Sequence, residues 1–495
     1  MLIVAILALP LAMTLASAFL PRRAAASGTV VVGVVSFALA LLLVPEVLRG
    51  TIHVAGYLRA DAISMVFVLA TSFLYALCSI YSVGYFSHRT RAVRAAGVGT
   101  AEPFNRYSRL FYLGFNAFAW SMLCAPLVDG FAVLWVAIEI TTVVSALLVA
   151  LDRTDHATEA AWKYVLIASS GLGIALFATI LLYYAGAQTI GNSYDLAFEP
   201  LLHAAHHLPV VPVQLAFVLA VVGFGTKVGL FPVHTWLPDA HAEAPTPISV
   251  LLSGALLATS FYAIIRYFQV AVAAIGPQLP RTVMLVFGVL SVLLAALYLF
   301  GQRNIKRMLA YSSVEHMGIL AIALSFGAPI AMIGMLLHVL AHAAAKGAAF
   351  MGAGVLTQAF GTKELDGMRE AMGRLRWTAP LFLIAIFTLC ALPPFGVFRS
   401  EFDIVAGGIF SGSGIAAAVC VVLVTIAFFG LALTTTRILF EPSSKEWSPT
   451  RREPSGWMVL PMAIALSAVL LIGVHPPADL VDLLHQGAAE MSELP

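Results

Sequence analysis

Apolar runs of about twenty residues, separated by short polar breaks, recur along the whole chain. A helix needs about twenty predominantly apolar residues to cross the hydrocarbon core of a bilayer. In the first half the runs lie near 1–20, 28–48, 61–85, 107–125, 129–151, 157–184 and 213–233. In the second half they lie near 247–271, 281–300, 304–326, 329–358, 377–409, 414–438 and 456–474. The pattern predicts an all-α integral membrane protein of about fourteen transmembrane helices. The polar breaks between them, roughly 20–30 residues at most, are too short to bury a core of their own.

Basic residues are distributed unevenly over these breaks. Breaks after odd-numbered runs hold Arg22, Arg23, Arg89, Arg91, Arg94, Arg106, Arg109, Arg153 and Arg303. Lys306, Arg307, Lys363, Arg369, Arg374, Arg376, Arg437, Lys445, Arg451 and Arg452 continue the set. The opposite side is expected to carry only Arg49, Arg59, Arg266 and Arg281. The positive-inside rule then places both termini outside the cytoplasm of a bacterial cell membrane. Ala16-Ser17-Ala18 has the look of a signal cleavage site. A secretory signal opens on a positive segment, whereas here Arg22-Arg23 follow the apolar run, which is read as a retained helix.

Composition agrees with the pattern. Of 495 residues, 61% are hydrophobic and 11% charged, with a mean hydropathy of +0.95; soluble domains carry about 25% charge. Lipid is the expected solvent, and the net charge of +2 carries no implication of nucleic-acid binding. Cys78, Cys124, Cys390 and Cys420 sit in separate apolar runs without a C-x-x-C spacing. They are read as small buried hydrophobes. No metal site, iron–sulfur cluster or other cofactor is expected.

A few ionisable groups remain at membrane depth, where a charge costs from about 2.5 kcal/mol upward and marks a functional candidate. Glu139 lies mid-run in FAVLWVAIEITTVVSALLVA. Lys227 lies in LAVVGFGTKVGLFPVHTW, five residues before the helix-breaking Pro232. The two are read either as a carboxylate–lysine pair that moves protons or as a static ion pair that holds helices together. His338, His342 and Lys346, spaced i, i+4 and i+8, share one helix face about 6 Å apart per step. Imidazoles can pass protons between their nitrogens. Two histidines four apart also suit zinc, but the motif holds no third ligand and Lys346 repels a cation. Pro393-Pro394 and Gly396 break the twelfth run, followed by Arg399 and Glu401. Glu401 is read as a proton terminus, with a local Arg399–Glu401 salt bridge as the alternative. Glu315 and His316 lie deep in the tenth run on faces about 100° apart, while Lys306 is expected to snorkel at its edge. Lys163, early in the sixth run, joins this second tier of candidates.

Four stretches carry a resemblance: KVGLFPVHTWLPDAHAEAPTPISVLLSG (227–254), NIKRMLAYSSVEHMGI (304–319), HVLAHAAAKGAAF (338–350) and LPPFGVFRSEF (392–402). They resemble the proton-translocating, antiporter-like membrane subunits shared by respiratory complex I, Mrp-type antiporters and membrane-bound hydrogenases. SSVEHMGI and LPPFGVF are most similar to the F-type membrane component of hydrogenase-4 and formate hydrogenlyase. The resemblance implies fourteen helices with two inverted five-helix repeats, spans 4–8 and 9–13, and broken spans 7 and 12. It divides the chain into an N-terminal three-helix segment (1–85), half-channels at 107–271 and 281–438, and a last helix with a tail (456–495). It makes Glu139 and Lys227 the pair of the first half-channel, puts His338, His342 and Lys346 on a central polar axis, and sets Glu401 near the exit of the second. Many relatives carry a base in span 8, where this chain offers Ala258 and its neighbours, with Ser253 and Ser260 nearby.

The expected function is proton translocation as a non-catalytic subunit of a redox-driven complex, since no nucleotide-binding or haem motif appears. Its partners would be the other membrane and peripheral subunits. The resemblance points to a group 4 hydrogenase of the hydrogenase-4 or formate hydrogenlyase type, and a complex I antiporter-like subunit, an Mrp-type Na⁺/H⁺ antiporter subunit and a non-pumping membrane anchor are the rival readings.

Overall fold

The apolar runs fold as helices, two of them interrupted. The computed structural model describes residues 1–95, 101–191, 194–442 and 453–492, excluding the side chains of 88–105. Of the basic residues counted above, Arg89, Arg91, Arg94, Lys445, Arg451 and Arg452 therefore lie outside the described set.

The chain begins with α1 (Leu2–Ser17) and α2 (Arg22–Val47), then a hairpin of β1 (Ile52–Val54) and β2 (Leu58–Ala60). Next come α3 (Ala62–Ala95), α4 (Ala101–Cys124), α5 (Phe131–Val149), α6 (Asp155–Thr189) and the short α7 (Phe198–His203). The seventh run is interrupted between α8 (Val210–Val228) and α9 (Leu237–Glu243). The eighth comprises α10 (Thr246–Leu251), a π-helical turn (Leu252–Leu256) and α11 (Leu257–Ile275). There follow α12 (Gln278–Tyr298), α13 (Ile305–Phe326), α14 (Pro329–Phe360) and α15 (Ala371–Arg374). The twelfth run is interrupted between α16 (Thr378–Leu389) and α17 (Gly396–Phe410), and α18 (Gly414–Phe440), α19 (Gly456–Val474) and α20 (Ala478–Ser492) complete the chain. Among the described residues, 12 helices are long and apolar enough to cross a membrane, while α1 and α16 are shorter apolar helices.

Both interruptions have local causes. Gly229, at φ +84°, takes the left-handed conformation that ends α8. Its amide and that of Leu230 both reach the Gly225 carbonyl at 2.9 Å. The freed carbonyl of Thr226 accepts the Trp236 indole N–H at 2.7 Å, and the Ser291 hydroxyl accepts the Phe231 amide at 2.9 Å. Protein groups thus satisfy the broken backbone, as lipid cannot. In the second interruption Pro393 and Pro394 separate α16 from α17.

Small residues let helices approach closely. A Cβ on Gly223 of α8 would sit 2.5 Å from the Ala175 amide nitrogen of α6. α10 is buried throughout and α11 and α13 over almost all of their length, with only 272–275 and Arg307 partly exposed, and the three form the centre of the bundle.

The two ends of the bundle differ. At one, the breaks around 153–163, 237–245, 301–307 and 361–367 meet through Lys163–Asp239 (3.3 Å), Arg307–Asp239 (2.8 Å) and Lys363–Glu243 (2.9 Å). At the other, the β-hairpin pairs with the α4–α5 connection, the Asp129 amide donating to the Tyr57 carbonyl at 2.9 Å. Arg266, expected in a loop on that side, is buried within α11 instead, its guanidinium 2.5 Å from Asp61. The segment expected as a tail holds the polar-faced helix α20. The Glu490 carboxylate of α20 accepts the first amides of α3, Ala62 at 3.1 Å and Ile63 at 3.2 Å, neutralising donors that a helix start leaves unpaired.

Candidate functional site

The interrupted helices and the central trio place most of the ionisable candidates in the buried interior. Lys227 occupies the last turn of α8, just before the break, and is fully buried. No ion pair links it to Glu139, so the static pair is not formed. Its ammonium donates to Thr142 Oγ1 of α5 at 2.8 Å and to the Tyr164 hydroxyl of α6. Ser145 Oγ donates to the Thr141 carbonyl at 2.5 Å and lies 2.7 Å from the Tyr164 oxygen. Tyr164 therefore donates to Ser145, which leaves the phenol oxygen free to accept from Lys227. Glu139 stands one turn away on α5, its Oε1 accepting from Ser169 at 3.3 Å. Its Oε2 is buried without a protein partner. Glu139 is half-buried beside the exposed Val136 and Val143, so its helix face looks outward from the bundle.

Beyond the break, α9 carries a group that the sequence reading passed over. His241 is completely buried, stacks on Phe350 of α14 at 5.2 Å, and finds no protein partner for either ring nitrogen. It feels the charges of both Lys346 and Lys306. Lys306 does not snorkel: it is buried at the start of α13 and donates to the Ala244 carbonyl, just past the end of α9, at 2.8 Å. A helix C-terminus is favourable ground for a cation. Lys163, by contrast, is half-exposed and held at the bundle end by Glu159 (2.6 Å) and Asp239 (3.3 Å). A polar cavity of about 970 Å³ opens there, lined by His156, Glu159, Lys163, Asp239, Glu243 and Lys363 among others.

The trio on α14 forms as its spacing predicts. His338 and His342 stack with ring centroids 6.2 Å apart. Lys346 turns aside, donating to the Leu309 carbonyl at 3.0 Å and to Ser312 Oγ at 2.8 Å, both on α13. Glu315 acts electrostatically on Lys346 and has one buried oxygen without a protein partner. His316, on the adjacent face of α13, meets His338 at 3.0 Å and His342 at a ring distance of 4.9 Å. Its Nδ1 also approaches Glu401 Oε1 at 3.9 Å. Glu401 therefore faces the histidines, and the Arg399–Glu401 salt bridge does not form, since Arg399 is exposed on α17. Where the eighth run lacks a base, Ser253 in the π-helical turn meets Ser313 of α13 at 2.7 Å, whereas Ser260 bonds only its own helix at 3.1 Å.

The arrangement is a set of titratable side chains buried inside an apolar bundle. Lys227, His241, Lys306, Lys346, His342, His338, His316 and Glu401 are buried or nearly so. Several present lone pairs or N–H groups that no protein atom satisfies, the condition under which internal water is retained.

The sequence profile described as NADH:quinone oxidoreductase/Mrp antiporter, transmembrane region, matches residues 128–429. The chain is 34% identical over 432 residues to a hydrogenase-4 component F homolog of Methylacidiphilum infernorum, covering 86% of this chain and 87% of that one. Among solved structures, a chain of an archaeal membrane-bound sulfane sulfur reductase superposes with a TM-score of 0.84 at 22% identity, over 99% of this chain and 98% of the other. A chain of the Mrp complex from Dietzia sp. DQ12-45-1b does so with a TM-score of 0.84 at 18% identity, over 99% and 98%. These two likenesses concern the fold.

Proposed function

The chain belongs to the NADH:quinone oxidoreductase/Mrp antiporter transmembrane family, and from that premise we propose that it carries protons across the membrane within a redox-driven complex of the group 4 hydrogenase type. One observation carries the reading: ionisable side chains are buried at both interrupted helices, Lys227 and His241 at the first and Glu401 at the second, with His316, His338, His342 and Lys346 buried on α13 and α14. A membrane protein that only anchored its partners would gain nothing from burying three lysines there, each costing free energy to desolvate.

The basic-rich end lies in the cytoplasm in this account, with both termini on the opposite side of a bacterial cell membrane. Protons enter through the polar cavity beside Lys163 and reach Lys306. The segments 107–271 and 281–438 act as two inverted half-channels, with fourteen helices in all. His241 bridges them, supplying from α9 the base that the eighth run lacks. Lys346 and the three histidines pass the proton on to Glu401. Driving one proton against 100 mV takes about 2.3 kcal/mol, so the energy comes from partner subunits. Glu139, on the outward-looking face of α5, is placed to feel a charge change in the neighbouring subunit. It then alters how firmly Lys227 holds its proton, without touching it.

The test has two arms. A mild-detergent pull-down of the tagged chain is expected to bring down a hydrogenase-type catalytic subunit with iron–sulfur proteins; recovering only antiporter-like membrane subunits would favour cation exchange. In energised inside-out vesicles, acidification is expected to persist without sodium and to vanish in Lys227→Ala. Acidification that requires sodium, or survives that substitution, would overturn the proposal.

A further inference from the structure

The histidine cluster has a second capacity that the sequence spacing alone did not show. His338 and His342 were two potential ligands without a third. The fold brings His316 from α13 and Glu401 from α17 to the same point, and one ligand atom each from His316, His338 and Glu401 lies within 4.8 Å of the others. We propose that His316 Nδ1, His338 Nε2 and Glu401 Oε1 form a binding site for a divalent transition-metal cation of the zinc class, with His342 as an adjacent third imidazole.

The geometry is close to what such an ion requires. Zinc bonds imidazole nitrogen at about 2.0–2.1 Å in tetrahedral sites, which sets neighbouring ligand atoms roughly 3.3 Å apart. The His316–His338 separation is 3.0 Å and the His316–Glu401 separation is 3.9 Å. The third pair, His338 and Glu401, lies within 4.8 Å, so closing the shell takes about half an ångström at His316 and up to about 1.5 Å between His338 and Glu401, within the reach of side-chain torsions.

The proton arrangement also fits. Ser400 Oγ donates to the Val397 carbonyl at 2.8 Å, so at its 2.9 Å contact with His338 Nδ1 it accepts. His338 thus carries its proton on Nδ1 and presents the Nε2 lone pair toward His316. This is the second-shell pattern that orients metal-binding imidazoles. At present His316 fills that lone pair with its Nδ1 proton. Moving the proton to His316 Nε2, which has no protein partner, frees Nδ1 as a ligand without breaking any other hydrogen bond. The cation then takes the place of the His316–His338 hydrogen bond, His316 keeps its proton on Nε2, and any proton held by the Glu401 carboxyl is released to water on binding.

Charge does not forbid the site. Lys346, the apparent obstacle, directs its ammonium to the Leu309 carbonyl and Ser312. Glu401 supplies the carboxylate ligand once ionised, and Glu315 lies close enough to act on it electrostatically. A cavity of about 350 Å³ lined by Glu401, Cys390, Cys420, Phe398 and Phe402 among others gives the ion room to approach.

One consequence rests on the proton-carrying reading above: a bound cation would immobilise the imidazoles and block transfer to Glu401. The binding itself does not depend on that reading, so it is tested alone. The purified full-length chain, with exposed His53, His156, His203, His206, His207, His475 and His485 replaced by alanine to remove surface imidazoles, is equilibrated with Zn²⁺. Retained metal is counted by mass spectrometry and its shell read by X-ray absorption. The expected result is one ion per chain with at least two imidazoles and one oxygen ligand. Affinity is expected to fall by at least about tenfold in Glu401→Gln, the loss typical of a damaged site, and binding to disappear in His338→Gln. Failure to retain zinc in the alanine background, or unchanged affinity in both variants, would overturn the site. Glu401→Gln lies near the bundle surface and guards against misfolding of the His338 variant.

Discussion

Replacing Tyr164 by phenylalanine removes one oxygen from around Lys227 and leaves the ring that packs 4.4 Å from Trp236. Lys227 then keeps only Thr142 Oγ1, at 2.8 Å, as a hydrogen-bond partner. A hydrogen bond to a charged group contributes about 1.5–3 kcal/mol, and about 1.4 kcal/mol corresponds to a factor of ten. The charged form of Lys227 should therefore be populated about ten- to a hundredfold less, and a transport step that needs it should slow in proportion. Ser145→Ala removes only the neutral contact behind Tyr164, at 2.7 Å, and should cost about 1 kcal/mol, roughly fivefold. The assay is acidification of inside-out vesicles, followed with a fluorescent pH indicator, alongside the redox turnover and the assembled amount of the complex. The expected order is wild type, then Ser145→Ala, then Tyr164→Phe, at equal assembly. Transport within twofold of wild type in an assembled Tyr164→Phe complex would refute the role given to the Lys227 cage.

Other consequences follow from separate parts of the fold. His241→Gln keeps the shape of the residue between the halves but removes its titration, so proton transport should stop while Lys227 and Lys346 remain in place and the complex assembles. Gly223→Ala forces a Cβ to within 2.5 Å of the Ala175 nitrogen, and such overpacking should cost about 1–3 kcal/mol, read as a lower melting temperature of the detergent-solubilised protein. Burial, reinforced by the negative charge of Asp61, pushes the Glu490 carboxyl up from 4.5 to about 7. The docked α20 therefore holds a proton that the undocked helix has already released between those values. Docking is strongest below about 4.5 and weakens as pH rises through about 7. Limited proteolysis within 475–492 should increase from pH 5 to 8.5, and Glu490→Gln should flatten that dependence.

The helical architecture was legible because lipid permits few solutions: each apolar run of sufficient length had to satisfy its own backbone as a helix. The interruptions were legible for a similar reason, since Pro232 and the Pro393-Pro394 pair cannot continue a helix. The trio on α14 followed from periodicity within one segment. Contacts between segments were much less accessible. Helix period says which face Lys227 occupies but not which neighbour meets it, so Glu139 was paired with it although Thr142 and Tyr164 hold the ammonium. The same blindness hid His316 and Glu401 as neighbours of His338, and made Lys306 a surface group although α9 ends against it. His241 was overlooked because it lies in a short polar stretch resembling a loop, which the interruption of the seventh run folds back into the core. α20 was missed because its alternation of polar and apolar residues is that of a docked surface helix, too polar to register as a membrane span.

The central claim is that the buried ionisable groups carry protons. Its most direct test is to count protons moved per pair of electrons by the purified complex in sealed liposomes, comparing wild type with Lys346→Ala. Lys346 is held only by the Leu309 carbonyl and Ser312, so its removal should spare the fold. A lower proton count per electron pair is expected while electron transfer continues. An unchanged count in the fully assembled variant would contradict it.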